Sequence, residues 1–194
     1  MYHLVIFASG NGSTLQAVID SIHRQELKAT ISLVVSDNPN AYALKRAQDN
    51  NIPTYIIQNK KFEARDLELS HVLAKYPIDL IVLAGYLKMI GPNLLQKYTL
   101  INTHPSLLPK FGGKGMHGMH VHEAVIEAKE KVSGATIHFV NQEYDKGSII
   151  SQTKVSVLPQ DTAKTLSSKV QAAEKIQLVE VLNRFVNHEI CGDS

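Results

Sequence analysis

Four short runs in the first half of the chain are almost continuously apolar and rich in Val and Ile: residues 4–8, 31–36, 54–57 and 80–84. Each has turn residues close by and reads as a strand buried on both faces. The segments between them carry a different period. In residues 13–23, Leu15, Val18, Ile19 and Ile22 fall on one stripe at three- and four-residue spacing, as a helix laid on a sheet requires. Residues 42–49 and 62–76 are the other helical candidates, the second stopped at Pro77. Doubly buried strands alternating with helices predict an α/β fold with a Rossmann-like parallel sheet covered on both sides.

The second half changes character. Residues 100–104 form a short strand running into Pro105, and a helix starting near His120 continues through residues 123–131. Residues 134–140 and 148–157 are two further strands, and the stretch between them is too short for a crossover helix, which predicts an antiparallel hairpin. After Pro159, Asp161 can cap a long helix with a core stripe of Leu166, Val170, Ala173, Ile176, Val179, Leu182 and Val186. With no linker, repeat or low-complexity tract, residues 1–194 are expected to form one domain. Its parallel first half (1–100) joins a mixed sheet completed by the hairpin and the long C-terminal helix (101–194).

Composition narrows the function. A hydrophobic fraction of 44% supports a real core, and 20 Lys+Arg against 18 Asp+Glu leave a net charge of only +2. Without a basic block, that balance argues against a nucleic-acid-binding protein. The apolar start breaks at Ser9-Gly10 and the other apolar runs are strand-sized, so no membrane span is expected and the chain reads as cytoplasmic. Nine histidines accompany one cysteine, Cys191, which excludes a disulfide framework and a cysteine-based zinc site within one chain.

Candidate chemistry lies in three places. Ser9-Gly10-Asn11-Gly12-Ser13-Thr14 joins the first strand to the first helix, where free N–H groups and small residues suit an anion. The loop lacks the third glycine of the dinucleotide fingerprint and the Gly-Lys-Ser/Thr of a P-loop, so a phosphomonoester fits better; a tight turn with Ser13 as N-cap is the alternative. Asn102 and His104, two apart on a strand ended by Pro105, share a face at its C-terminal edge, where open α/β sheets bind ligands. An amide beside an imidazole suits a developing oxyanion, while a buried Asn–His pair holding a loop is the bland alternative. Asp145 sits in a hairpin connection and matters only if the fold brings it to His104; His138 on the preceding strand is another site residue or, more simply, a satisfied core histidine.

Asn102-Thr103-His104-Pro105-Ser106-Leu107-Leu108-Pro109 closely resembles the signature of the folate-dependent formyltransferases. Within that family, the first loop, the stretch 134–140 leading to Asp145 and Gly147, and Gln171-Ala172-Ala173-Glu174 resemble the members acting on glycinamide ribonucleotide. The motifs occur in the family's order over nearly the whole chain. The resemblance implies formyl transfer from 10-formyltetrahydrofolate, as cosubstrate, to the amine of glycinamide ribonucleotide, with these two small molecules as partners and no metal. It implies Asn102, His104 and Asp145 as the catalytic set. Gly12, Ser13 and Thr14 would hold the substrate phosphate, with Glu174 near the ribose and His120 and His122 close to the substrate. Arg65, Leu87, Lys88, Met89 and Ile90, with Asn102, Asn141, Gln142, Glu143, Tyr144 and Asp145, would meet the folate.

Two departures from the family pattern stand out. Thr14 occupies a position where many members carry Asn, and residues 111–119 form a longer, glycine-richer stretch. His117, His120 and His122 in and after that stretch have a metal-like His-x-x-His-x-His spacing, but the resemblance to a metal-free family favours substrate contact or surface exposure. Met116 and Met119 read as gap fillers. A formyltetrahydrofolate hydrolase, a formyltransferase acting on another amine, and a non-enzymatic sugar-phosphate-binding module are the competing readings. The hydrolase is expected to carry an added N-terminal domain, and transferases for aminoacyl-tRNA a C-terminal one, for which this chain has little room.

Overall fold

A computed structural model describes residues 1–190; Cys191 lies outside the described residues. The chain runs β1 (Tyr2–Phe7), α1 (Ser13–His23), β2 (Ala29–Ser36), α2 (Tyr42–Asp49), β3 (Thr54–Ile56), α3 (Phe62–Leu73), β4 (Leu80–Leu83) and α4 (Pro92–Leu95). It continues through β5 (Leu100–His104), α5 (Met119–Glu127), β6 (Val132–Phe139), β7 (Ile149–Ser156) and α6 (Ala163–Val186). The seven strands of the described residues form one sheet in the order β3-β2-β1-β4-β5-β6-β7. The first five pair in parallel, whereas β6 runs antiparallel to both β5 and β7. The predicted mixed α/β sheet is therefore the one observed.

Alternation along β1 divides the core. Leu4 and Ile6 face α1, α2 and α6, meeting Leu15, Val18, Leu44, Leu178 and Leu182. Val5 and Phe7 point the other way, into a cluster with Leu69 and Leu73 of α3 and Leu94 of α4. A third, smaller cluster joins Val125 of α5 to Ala135 of β6 and to Leu166 and Val170 at the start of α6. Covering both faces leaves the C-terminal ends of the central strands as the open place on the sheet.

Several boundaries differ from expectation. The third helix stops at Leu73, three residues short, and the fifth at Glu127, because Lys129 takes a left-handed φ of 52°. The N-cap of α6 is Thr162, not Asp161, in a reciprocal capping box with Thr165. Asp161 instead accepts from the Leu158 N–H and the Lys169 ammonium. The predicted stripe on α6 holds at Leu166, Val170 and Leu182, which are fully buried, but not at Ile176. Ile176 is 65% exposed, while Glu174, Gln177, Leu178, Val181 and Phe185 are buried. The short α4, started by Pro92 at its first turn, was not foreseen.

Candidate active site

A cleft of about 770 Å³ opens over the C-terminal ends of β1, β4 and β5. Its floor begins at the turn after β1, where Gly12 takes a φ of 72° and acts as the N-cap of α1 without any side-chain cap. Ser13, predicted as a possible N-cap, is the first helical residue. A Cβ on Gly12 would collide with Ala43, so glycine is required by space as well as by φ. The loop is braced from outside: Arg46 donates to the Asn11 carbonyl at 2.8 Å and to Asn11 Oδ1 at 2.9 Å, and Ser9 donates to Asp37 at 2.5 Å. The uncapped N–H groups of α1 thus face the cleft on a fixed loop, a setting suited to an anion.

At the centre, Asn102 and His104 share one face of β5, as their spacing requires. The antiparallel register sets His138 of β6 directly opposite Asn102, and Asn102 Nδ2 lies 3.1 Å from His138 Nε2. The other His138 ring nitrogen, Nδ1, lies 2.8 Å from the Phe139 carbonyl and must donate to it, which leaves Nε2 to accept from the Asn102 amide. His138 is thus buried and bonded, but it is part of the cleft lining and not merely a core residue.

Asp145 arrives from the β6–β7 connection in a left-handed conformation, φ 58°. Its Oδ1 lies 3.4 Å from His104 Nδ1 and 3.6 Å from His138 Nε2, and its Oδ2 accepts the Gly113 N–H at 2.8 Å. Burial pushes this carboxyl upward. The hydrogen bond and charge of His104 and the Gly113 N–H more than offset that, holding it well below the usual carboxylate range. His104 Nε2 sits 2.8 Å from the Phe111 carbonyl and donates to it. Nδ1 then meets the Asp145 carboxylate favourably only when it too carries a proton. The expectation that the fold must bring Asp145 to His104 is met.

A buried acid closes the third side. Glu174 of α6 accepts from Thr14 at 3.0 Å and from Thr103 at 3.2 Å, both at Oε1, which joins the anion loop, β5 and α6. Burial raises its carboxyl above the ordinary value, against the lowering effect of the two hydroxyls. Thr103 is the contributor that sequence reading passed over, since it matters through a partner 71 positions away; His138, weighed there as a site residue or a core histidine, lines the cleft through a partner 36 positions away.

The other expected residues divide. Gly12, Ser13, Thr14, Leu87, Lys88, Met89, Ile90, Asn141, Glu143, Tyr144, Asp145 and His122 line the cleft, and so do Met116 and Met119, which had read as gap fillers. Gln142 and His120 do not; His120 is exposed and pairs with Glu123 at 3.3 Å. Arg65 is buried behind the cleft, where it donates to the Lys60 carbonyl at 3.1 Å and the Met89 carbonyl at 3.2 Å. It supports the 87–90 segment from outside and does not face the cleft. Among the described residues no group of three or more His, Cys, Asp or Glu is arranged to hold a metal ion, and no helix is long and apolar enough to cross a membrane.

Fold and cleft together define a Rossmann-like domain in which a helix start fit for an anion lies beside a converging Asn, His and Asp. The chain belongs to the formyl transferase family, whose model matches residues 2–182. It is 38% identical over 193 residues to the chloroplastic phosphoribosylglycinamide formyltransferase of Arabidopsis thaliana, a match covering 96% of this chain and 66% of that protein. With the Vigna unguiculata enzyme of the same name the match covers 62% of the relative, so the chain spans a little under two thirds of these plant proteins. The Escherichia coli phosphoribosylglycinamide formyltransferase is 36% identical over 190 residues, 95% of this chain and 87% of that one. The crystal structure of the Bacillus halodurans phosphoribosylglycinamide formyltransferase superposes with a TM-score of 0.89 at 36% identity, covering 97% of both chains.

Proposed function

We propose that the protein transfers a formyl group from 10-formyltetrahydrofolate to the amine of glycinamide ribonucleotide, a step of purine biosynthesis. The observation that carries this reading is the convergence of Asn102, His104 and Asp145 on one cleft, with the His104 Nδ1 to Asp145 Oδ1 separation at 3.4 Å. The names of the relatives agree with it.

The substrate amine is itself the nucleophile, so no serine or cysteine nucleophile is needed. Its nitrogen attacks the formyl carbon, and the carbonyl electron pair moves onto oxygen to give a tetrahedral oxyanion. Asn102 Nδ2–H is the donor aimed at that charge, and the protonated His104, whose two N–H groups are held by Phe111 and Asp145, stabilises it through its positive charge, acting where water is displaced and the field is strongest. The proton on the attacking nitrogen passes to N10 of the folate as the C–N10 bond breaks. Asp145 assists that passage, directly or through one water, while holding His104 in its orientation. Gly12, Ser13 and Thr14 take the substrate phosphate at the start of α1, and Glu174 accepts from the ribose hydroxyls. Leu87 to Ile90, with Asn141, Glu143 and Tyr144, form the folate wall, and Arg65 steadies it through Met89.

The test is a formyl-transfer assay with 10-formyltetrahydrofolate, run with and without glycinamide ribonucleotide. Formyl transfer dependent on the ribonucleotide is expected. Release of formate to water at the same rate with or without the amine would assign the hydrolase reading instead.

A further inference from the structure

Two helices present glycine N-caps at positive φ to this cleft. Gly12 begins α1, and Gly118, at φ 58°, begins α5; neither has a side-chain cap. Both helices pack against α6, whose Ser167, Gln171 and Glu174 line the cleft beside them. The site as read so far gives an anion to α1 alone. At α5 there is a second, independent feature. His122, in the first turn, is only 2% exposed and lines the cleft, yet its Nδ1 is buried with no hydrogen-bond partner.

Nδ1 is sealed from solvent, so a ligand in the cleft can meet only the other ring nitrogen, Nε2, which bonds no group among the described residues. Burial and the like charge of nearby His104 both hold the His122 imidazole below its ordinary titration range, so the ring is neutral near pH 7. A neutral ring has one donor and one acceptor. Burying an N–H without a partner is the rarer and costlier choice, which assigns the lone pair to Nδ1 and the proton to Nε2. The ring therefore has one donor left to offer.

The loop before α5 adds a cation. It is tied at one end by the Gly113 N–H on Asp145, and Gly113 and Gly115 adopt φ of 96° and 90° with open space where a Cβ would be. Lys114 lies between them on the cleft wall. No hydrogen bond or ion pair joins its ammonium to another group among the described residues.

We propose that the N-terminus of α5, the His122 imidazole N–H and Lys114 form a second anion subsite that grips the substrate's phosphate together with α1. This deepens the reading given above and rests on it for the identity of the phosphate. An anion suits the set because every group offered is a donor or a positive charge. The folate carboxylates are the other anions that could reach this cleft.

Binding is measured by calorimetry with inorganic phosphate and with ribose 5-phosphate, and steady-state kinetics are run in parallel. His122→Phe is expected to weaken both ligands by about 10- to 100-fold, the worth of a hydrogen bond to a charged group. His122→Gln, which keeps an N–H donor, is expected to recover most of that loss. Lys114→Met is expected to weaken binding by about 2- to 5-fold and to flatten its salt dependence. In turnover, the losses are expected in KM for the amine substrate, with kcat and the folate KM unchanged. If His122→Phe does not fold, the Gln and Lys114→Met variants carry the test.

Unchanged phosphate affinity in the folded variants overturns the proposal. So does an effect confined to the folate KM, which would assign the subsite to the folate carboxylates. A wild-type protein that binds phosphate through His122 but transfers no formyl group would refute the proposed function and leave the subsite standing.

Discussion

Replacing Asp145 by Asn isolates the charge from the shape. The carboxylate now has two jobs: Oδ2 accepts the Gly113 N–H at 2.8 Å, and Oδ1 faces His104 and His138 at 3.4 and 3.6 Å. An amide has one acceptor oxygen and cannot do both. If that oxygen stays with Gly113, the NH₂ group faces His104 Nδ1. Because His104 Nε2 already donates to the Phe111 carbonyl, Nδ1 must then become an unprotonated acceptor. Asp145→Asn therefore leaves His104 in place but strips the positive charge it offers to the oxyanion, and it removes the group that assists proton passage. Loss of a positioned acid or base costs about 10²- to 10⁴-fold in rate, or roughly 2.7 to 5.4 kcal/mol of barrier. Stability at pH 7 should fall less, by about 1–2 kcal/mol, because the amide lacks the net stabilisation that the lowered Asp145 carboxyl supplies after its burial is offset. Asp145→Ala, by contrast, also unties Gly113 and should cost about 1.5–3 kcal/mol in folding free energy. Single-turnover formyl transfer and urea denaturation on the same preparations separate the two effects. A folded Asp145→Asn enzyme turning over within about tenfold of wild type would refute the assignment.

Three more outcomes follow from the same geometry. Because the folded state holds the Asp145 carboxyl well below its unfolded value, its contribution to stability is present above about pH 3.9 and is lost as pH falls below that value; denaturation midpoints from about pH 5 to about pH 2 should show this slope, and Asp145→Asn should lack its share. Glu174 has the opposite sign, since burial raises its carboxyl, so folding stability falls as pH rises from about 4.3 through the higher folded value. Glu174→Gln, which keeps an acceptor for Thr14 and Thr103, should stabilise the fold at pH 7 by on the order of 1 kcal/mol while raising KM for the amine substrate, and a variant less stable than wild type at pH 7 contradicts this. Arg65→Met removes two donors from the Lys60 and Met89 carbonyls, so the folate KM should rise several-fold with little change in the KM for the amine substrate; an unchanged folate KM would show that the 87–90 segment needs no such support.

The parts of the site legible in sequence are those set by spacing along one element. Asn102 and His104 share a face because a strand has period two, and the loop before α1 reads as an anion seat because glycine and hydroxyl residues precede an amphipathic helix. What was not legible depends on distant partners. His138 looked like a core residue because its role arises from a cross-strand pairing with Asn102, and Arg65 looked like a ligand contact because its true acceptor is the Met89 carbonyl 24 positions away. The stripe on α6 held at Leu166, Val170 and Leu182 but failed at Ile176 for a related reason. Period alone favours Ile176 as a core position, but the helix is rotated so that Glu174 reaches Thr14 and Thr103, which leaves Ile176 in solvent. The polar demands of the site thus outweighed the hydrophobic signal on that turn.

Strand β5 is where the two halves of the protein become one site. On one side it continues the parallel sheet, Leu83 of β4 lying beside Asn102; on the other it meets β6 antiparallel, with Asn102 opposite His138 and His104 opposite Thr136. Strand side chains alternate, so a slip of one residue in the second pairing would turn His138 away from Asn102 and carry the Asp145 loop with it. Thr136 resists such a slip from below the site: its hydroxyl donates to the Ser106 carbonyl at 2.6 Å and accepts from the Leu108 N–H at 3.1 Å and from Gln152 at 3.0 Å. The β6–β7 pairing shifts register between Ile137 and His138, beside the site, and the turn that follows needs Gly147, where any Cβ would collide with the Phe139 carbonyl. The bulge and the glycine return the chain just where Asp145 can reach both imidazoles. The chemistry of three side chains therefore rests on a hairpin whose own residues, Thr136 and Gly147 above all, are set by backbone geometry and need no contact with substrate.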